Sequence, residues 1–187
     1  AKIISSACIC GEFLHGGHGG PSHRKTMEKG GPGKNTLAAA LQSSYNDTMN
    51  LVAALMDPEA YPEPTTRVEL IQTHISWIFL TDKFAYKAKK PVDLGFLNFT
   101  TLRRRHHYLQ EELHLNRRLC PEIYLGVLPI AARSGGAAVG GKGHPIEYIL
   151  KMVRMPQERM MDEVADRGEL NRQCMERITA RLAPFYE

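Results

Sequence analysis

The sequence predicts an α+β fold: a five-stranded antiparallel sheet with one long helix packed on it and further helices at both ends. Three observations carry that prediction. Short β-branched and aromatic runs follow one another at hairpin spacing between residues 68 and 88. A helical period without internal proline fills the interval between Pro91 and Pro121. Two more strand-like runs then flank a glycine-rich stretch, Ser134–Gly143.

Residues 1–35 are rich in Gly, His, Ser and Lys and show little periodicity, which reads as a flexible tail. The chain opens on Ala1 and its first methionine is Met27, so the native origin of this tail is in question. Cys8, Cys10, His15, His18 and His23 crowd it, but their spacing matches no zinc module. Gly30-Gly31-Pro32-Gly33-Lys34-Asn35-Thr36 resembles a phosphate loop only at a glance. The pattern needs Gly where Glu28 stands and Ser or Thr where Asn35 stands, and no apolar strand precedes it.

Residues 36–66 form a lead-in helix and a proline-rich connector. Leu37, Leu41, Tyr45, Met49, Val52, Leu55 and Met56 recur at helical spacing, and Asp57-Pro58 stops the helix. Strands follow at Val68–Gln72, Ile75–Leu80 and Phe84–Ala88, in meander order. A helix from about Phe99 to Leu119 comes next, with Asn98 as its cap. Ile123–Ala131 and Ile146–Val153 complete the sheet, which is expected to run as a five-membered meander over residues 67–156. Beyond it, 157–187 reads as linker helices, with Glu158–Leu182 helical and Met161, Val164, Leu170, Cys174, Ile178 and Leu182 facing inward.

With 187 residues, 43% apolar and 24% charged, the composition is that of a globular domain. The net charge of +4 is too small by itself to argue for nucleic acid, and no apolar run approaches a membrane span. Four scattered cysteines without a CxxC pair point to a reducing, cytoplasmic setting, and the lack of a long apolar run argues against a membrane partner.

The chemistry concentrates in Phe84-Ala85-Tyr86-Lys87 and in Glu111-Glu112 on the following helix. Residues two apart in a strand share a face, so Ala85 and Lys87 point the same way, with Phe84 and Tyr86 opposite. A small residue beside a lysine leaves a flat floor for a purine while the ammonium reaches phosphate oxygens. Lys89 shares that face but nears Pro91 and the sheet edge, so Lys87 is preferred. At 100° per residue, Glu112 lies close to Leu109, Leu115, Asn116 and Leu119, at the border where helix meets sheet. Glu111 lies among Arg104, His107 and Arg118, and is expected to pair with arginines in water. A strand lysine held by a helix glutamate is the device by which kinase-like folds grip ATP phosphates.

The run QTHISWIFLTDKFAYKAKKPVDLGFLNFTTLRRRHHYLQEELHLNRRLCPEIYLGVLPI, followed by EYILKMVRMPQERMM, resembles the aminoglycoside-phosphotransferase-like, kinase-fold domain of a bacterial family. Full-length members often join that domain to a carboxy-terminal P-loop ATPase. The connector LVAALMDPEAYPEP fits the family's lead-in as well. The resemblance implies a kinase-like amino-terminal lobe that binds ATP, with Lys87 on the α- and β-phosphates and Glu112 as its anchor. The turn Thr73-His74-Ile75-Ser76 would cover the phosphates through backbone N–H groups and the Ser76 hydroxyl. Met152–Met155, with the backbone of Val153 and Met155, would form the hinge that meets the adenine edge.

Kinase-like phosphotransfer also needs a catalytic Asp and metal-holding Asn and Asp residues, which this family is expected to carry in an HGDLHxxN-like loop and beyond. After Pro156 the sequence offers Asp162, Asp166 and Asn171 and no such loop. The chain is therefore expected to be a truncated phosphotransferase, catalytically incomplete, with Mg²⁺ and a small-molecule acceptor engaged only by a complete protein. Two alternatives remain: a non-catalytic nucleotide-binding or regulatory module, and, behind it, a basic nucleic-acid-binding domain. The last rests on residues 84–119, where eight lysines and arginines face three carboxylates. A solvated helix face explains that run more simply.

Overall fold

In a computed structural model that describes residues 50–186, the chain enters on a helix whose described part is 50–55 (α1). It stops where expected: Asp57 accepts the Glu59 N–H at 3.0 Å and Pro58 opens a single 3₁₀ turn, Pro58–Ala60. The expected helical residues 37–49, the flexible tail, its cysteine–histidine cluster and the rejected phosphate loop lie outside the described residues.

Three strands follow, β1 (Glu69–Gln72), β2 (Ser76–Leu80) and β3 (Phe84–Lys89). A helix α2 (Leu102–Arg117) then leads to β4 (Tyr124–Arg133), β5 (Gly136–Val139) and β6 (Pro145–Val153). All neighbours are antiparallel, in the order β1-β2-β3-β6-β4-β5. The sheet therefore has six strands rather than five, and the meander holds only for β1 to β3. β6 lies between β3 and β4, which places its last residues beside the middle of the sheet.

The extra strand arises inside the expected glycine loop. Gly135, at φ 79°, turns the chain between Arg133 and Gly136, and Ala137 and Val139 then alternate into the core. Glycine and alanine hide that alternation from a reading based on β-branched residues.

The sheet separates two apolar layers. On one face Trp77, Phe79, Tyr86, Ile130 and Ile149 pack against Leu55 of α1 and Tyr61 of the connector. On the other, Ala85, Tyr124, Leu150 and Met152 pack against Leu109 and Leu113 of α2. The period-2 alternation along β2 and β3 sends one set of side chains to each layer.

Two helix boundaries differ from expectation. Thr101, not Asn98, caps α2 by accepting the Arg104 N–H at 3.3 Å. Asn98 instead closes the preceding loop, accepting the Thr100 N–H at 3.1 Å and donating to Asp93 at 2.6 Å. The long carboxy-terminal helix is broken into a 3₁₀ turn, Gln157–Arg159, and two helices, α3 (Met161–Asp166) and α4 (Arg172–Tyr186). Gly168 adopts φ 68° after α3, a left-handed conformation that ends the first helix. Asn171 then starts the second by accepting the Cys174 N–H at 3.0 Å. Of the six inward candidates only Val164 and Ile178 are buried; Met161, Leu170, Cys174 and Leu182 are half-buried.

Candidate functional site

The face of the sheet under α2 brings the sequence-selected residues together. On β3, Ala85 lies opposite Leu80 of β2 and Met152 of β6, and Lys87 lies opposite Ile78 and Leu150. Strand parity thus surrounds the lysine with aliphatic side chains. Across them Glu112 descends from α2, and its Oε1 accepts from Lys87 Nζ at 2.9 Å. Val153 and Met155 pack against the same apolar layer from the end of β6. The Val153 N–H is used within the sheet, by the Ile123 carbonyl at 2.9 Å, whereas the Met155 N–H has no backbone partner among the described residues.

Glu112 holds a second lysine, which the sequence reading set aside. Lys89 Nζ donates to Glu112 Oε2 at 2.8 Å. Its nearness to Pro91 does not place it at a solvated edge, because the Phe99 ring lies 5.3 Å from Nζ and covers it. Lys87 and Lys89 are only 4% and 6% exposed. The signal that could have found Lys89 is its parity with Lys87; the cover comes from a loop residue that strand geometry cannot foresee. Glu111, one residue from the anchor, is exposed.

Burial alone would raise the Glu112 carboxyl above the usual glutamate range. The attraction of Lys87 and Lys89 and their hydrogen bonds outweigh it and hold the group lowered, hence ionised at neutral pH. The side-chain amide of Asn116 donates from Nδ2 to the Glu112 carbonyl at 2.8 Å and braces the turn on which the carboxylate sits.

Ser76 is the remaining member. It faces Lys89 across the β2–β3 ladder, is 0% exposed, and its hydroxyl has no partner among the described residues. The turn before it is tied internally. Thr73 N–H donates to the Ser76 carbonyl at 3.0 Å, and Ser76 N–H to Thr73 Oγ1 at 3.0 Å. The N–H groups of His74 and Ile75 have no backbone partner among the described residues. Lys90 reinforces the turn by donating to the Thr73 carbonyl at 2.6 Å, with Nζ 5.6 Å from the Trp77 ring centre.

Two other ionic clusters stand outside this group. Arg105 forms a buried pair with Glu147, Nε to Oε2 at 2.8 Å, and also donates to the carbonyls of Phe99 and Thr100. Burial pushes the Glu147 carboxyl up despite Arg105. On the opposite face Glu63 of the connector accepts from Tyr86 at 2.5 Å and pairs with Lys151. Burial opposes ionisation of Glu63, but Lys151 and Tyr86 hold its carboxyl low.

The basic run Arg103-Arg104-Arg105 is not a continuous surface, since Arg105 is committed to Glu147 and Arg117 donates to the Tyr124 carbonyl at 2.7 Å. Among the described residues no group of three His, Cys, Asp or Glu is placed to hold a metal ion. None of the described helices is long and apolar enough to cross a membrane.

Comparison with known proteins gives relatives without a described activity. Over 120 residues, 64% of this chain, it is 28% identical to uncharacterised proteins of Mycobacterium tuberculosis and of Mycobacterium bovis. The matched stretch spans 22% of the length of those relatives. No family model and no solved structure matches the chain.

Proposed function

We propose that residues 67–156 are the ATP-binding, kinase-like amino-terminal lobe of an aminoglycoside phosphotransferase or related small-molecule kinase. The observation that carries this reading is the Lys87–Glu112 ion pair, which joins β3 to α2 at 2.9 Å beside an aliphatic floor. Ala85, Ile78 and Leu80 line that floor and offer a flat apolar surface for a purine. Met155, whose N–H has no backbone partner among the described residues, is the hinge donor for the adenine edge. Val153 has its N–H engaged in the sheet, so its part falls to the carbonyl and side chain. Ser76 and the His74 and Ile75 amides serve the phosphates.

Phosphotransfer itself belongs to a longer protein. Asp162 and Asp166 lie in α3 and Asn171 caps α4, so none forms the loop that holds a catalytic base and magnesium. The 187 residues supply the nucleotide side, and acceptor chemistry comes from elsewhere.

Isothermal titration of the chain with ATP, with and without magnesium, tests the reading. Lys87→Ala is expected to weaken ATP at least tenfold while retaining a cooperative melt. Equal affinity in the variant would overturn it. ATP binding by the parent with no turnover in any longer form would favour a non-catalytic nucleotide module.

A further inference from the structure

Among the described residues, buried ion pairs fasten α2 to the sheet at two points. At one, Glu112 reaches Lys87 on β3 at 2.9 Å. At the other, Arg105 reaches Glu147 on β6, Nε to Oε2 at 2.8 Å and Nη2 to Oε2 at 2.7 Å. Arg105 is 8% exposed and Glu147 4%. The guanidinium also donates through Nη1 to the carbonyls of Phe99 at 3.0 Å and Thr100 at 3.1 Å. The second Glu147 oxygen accepts the Tyr148 N–H at 3.0 Å. One arginine thus ties together the helix, the loop before it and a central strand.

The spacing of the two points matches on helix and sheet. Seven residues separate Arg105 from Glu112, two turns that return to the same helix face and advance about 10.5 Å. Lys87 lies opposite Leu150 of β6, three residues past Glu147, or about 10 Å along the strand. Between the two points Leu109 and Leu113 supply apolar contact, which has no preferred direction and tolerates a small slide or roll. Ion pairs with assigned partner atoms do not.

The strand departs from regularity to make the match. β4 pairs Ile130 with Glu147 and Ala131 with Pro145, which leaves Ile146 as an extra residue at the start of β6. Strict alternation would put Glu147 with Ile149, on the face away from α2; beside this bulge its carboxyl meets α2 instead. A buried ion pair adds little net stability over an apolar pair of the same volume, so the departure serves geometry rather than strength.

We propose that Arg105 and Glu147 are a positioning pair: they set the roll and axial register of α2, and so govern whether Glu112 meets Lys87. The inference deepens the nucleotide reading and rests on it for any effect on ATP, whereas the effect on Glu112 is read without ligand. Glu112 is the residue that touches Lys87; Arg105 and Glu147 act through it.

The test replaces the pair in the 187-residue chain with Arg105→Met and Glu147→Met together, similar in length and uncharged. The double variant should melt within a few degrees of the parent. Carbon-13 NMR of the carboxyl groups, assigned with Glu112→Gln, then follows the Glu112 titration. The parent midpoint lies below 4.5, and in the double variant it should rise to 4.5 or above as the carboxylate loses its lysines. Calorimetric titration should find ATP bound at least fivefold more weakly. Added to Lys87→Ala, the double substitution should leave ATP affinity within twofold, because both act through one ion pair. Arg105→Lys keeps a charge against Glu147 but cannot also hold both loop carbonyls. It should move the Glu112 midpoint in the same direction, and it keeps the test decisive if the double variant does not fold.

A folded variant whose Glu112 midpoint stays at the parent value overturns the proposal, and the Lys87→Ala titration alone then judges the nucleotide reading. A midpoint that rises in a chain whose ATP binding is absent or unchanged supports the positioning pair and sinks the nucleotide reading.

Discussion

Glu112 is the side chain on which the two lysines depend, and its replacement separates charge from packing. Glu112→Gln keeps the volume but leaves two buried ammonium groups facing an amide, and should cost about 3 kcal/mol at neutral pH. The loss should depend on acidity in a definite direction. The folded carboxyl lies below its ordinary value of 4.5, so the unfolded chain takes up protons first as the solution is acidified. The stability supplied by this group is complete above about pH 4.5 and is lost as pH falls toward the folded value. Urea unfolding at neutral pH and in mild acid should therefore show the gap between parent and variant narrowing as pH falls below 4.5. A gap that stays constant would show that the carboxylate charge contributes nothing. Strand parity and helical rotation were enough to select Lys87 and to separate Glu112 from Glu111. They were not enough for Lys89, because its burial depends on the Phe99 ring, ten positions away in a loop.

At the scale of elements, the same local logic succeeds where apolar period and punctuation agree, and fails where glycine intervenes. α1 stops before Pro58, β3 ends before Pro91 and α2 lies between Pro91 and Pro121, while β2 and β3 carry clean alternation. β5 is built of Gly136, Ala137, Ala138 and Val139, whose small side chains give little strand signal although two of them are buried. The carboxy-terminal segment shows the reverse error. Its apolar residues keep a helical period through a point where the backbone breaks, because Gly168 turns left-handed and Asn171 caps a fresh helix. Gly168→Ala is expected to destabilise by about 1 kcal/mol, the strain of a Cβ at positive φ. Thermal melting checks it, and an unchanged midpoint would mean that the break shifts to a neighbouring residue at no cost.

For the whole molecule, strand order was beyond the reach of the sequence. Hairpin-length breaks identify sequential neighbours, and nothing local says that β6 enters between β3 and β4. That placement sets the expected stability profile. β3 and β6 are paired on both sides and covered on both faces, whereas α4 buries Ile178 and leaves most of its surface in water. Native-state hydrogen exchange should find β3 and β6 amides opening only with global unfolding, and α4 amides opening through local events of much lower free energy. Equal protection in both would contradict the layered core.

The grip of Glu63 on Lys151 and Tyr86 has one more consequence. It fastens the incoming connector to the outgoing strand across 88 positions of sequence, on the side away from the lysine pair. Lys151 stands two residues before Val153, so a displacement of the connector is coupled to the end of β6 from the face of the sheet opposite Lys87. Under the proposed nucleotide reading, a fluorophore on the connector would report binding from the far face of the sheet.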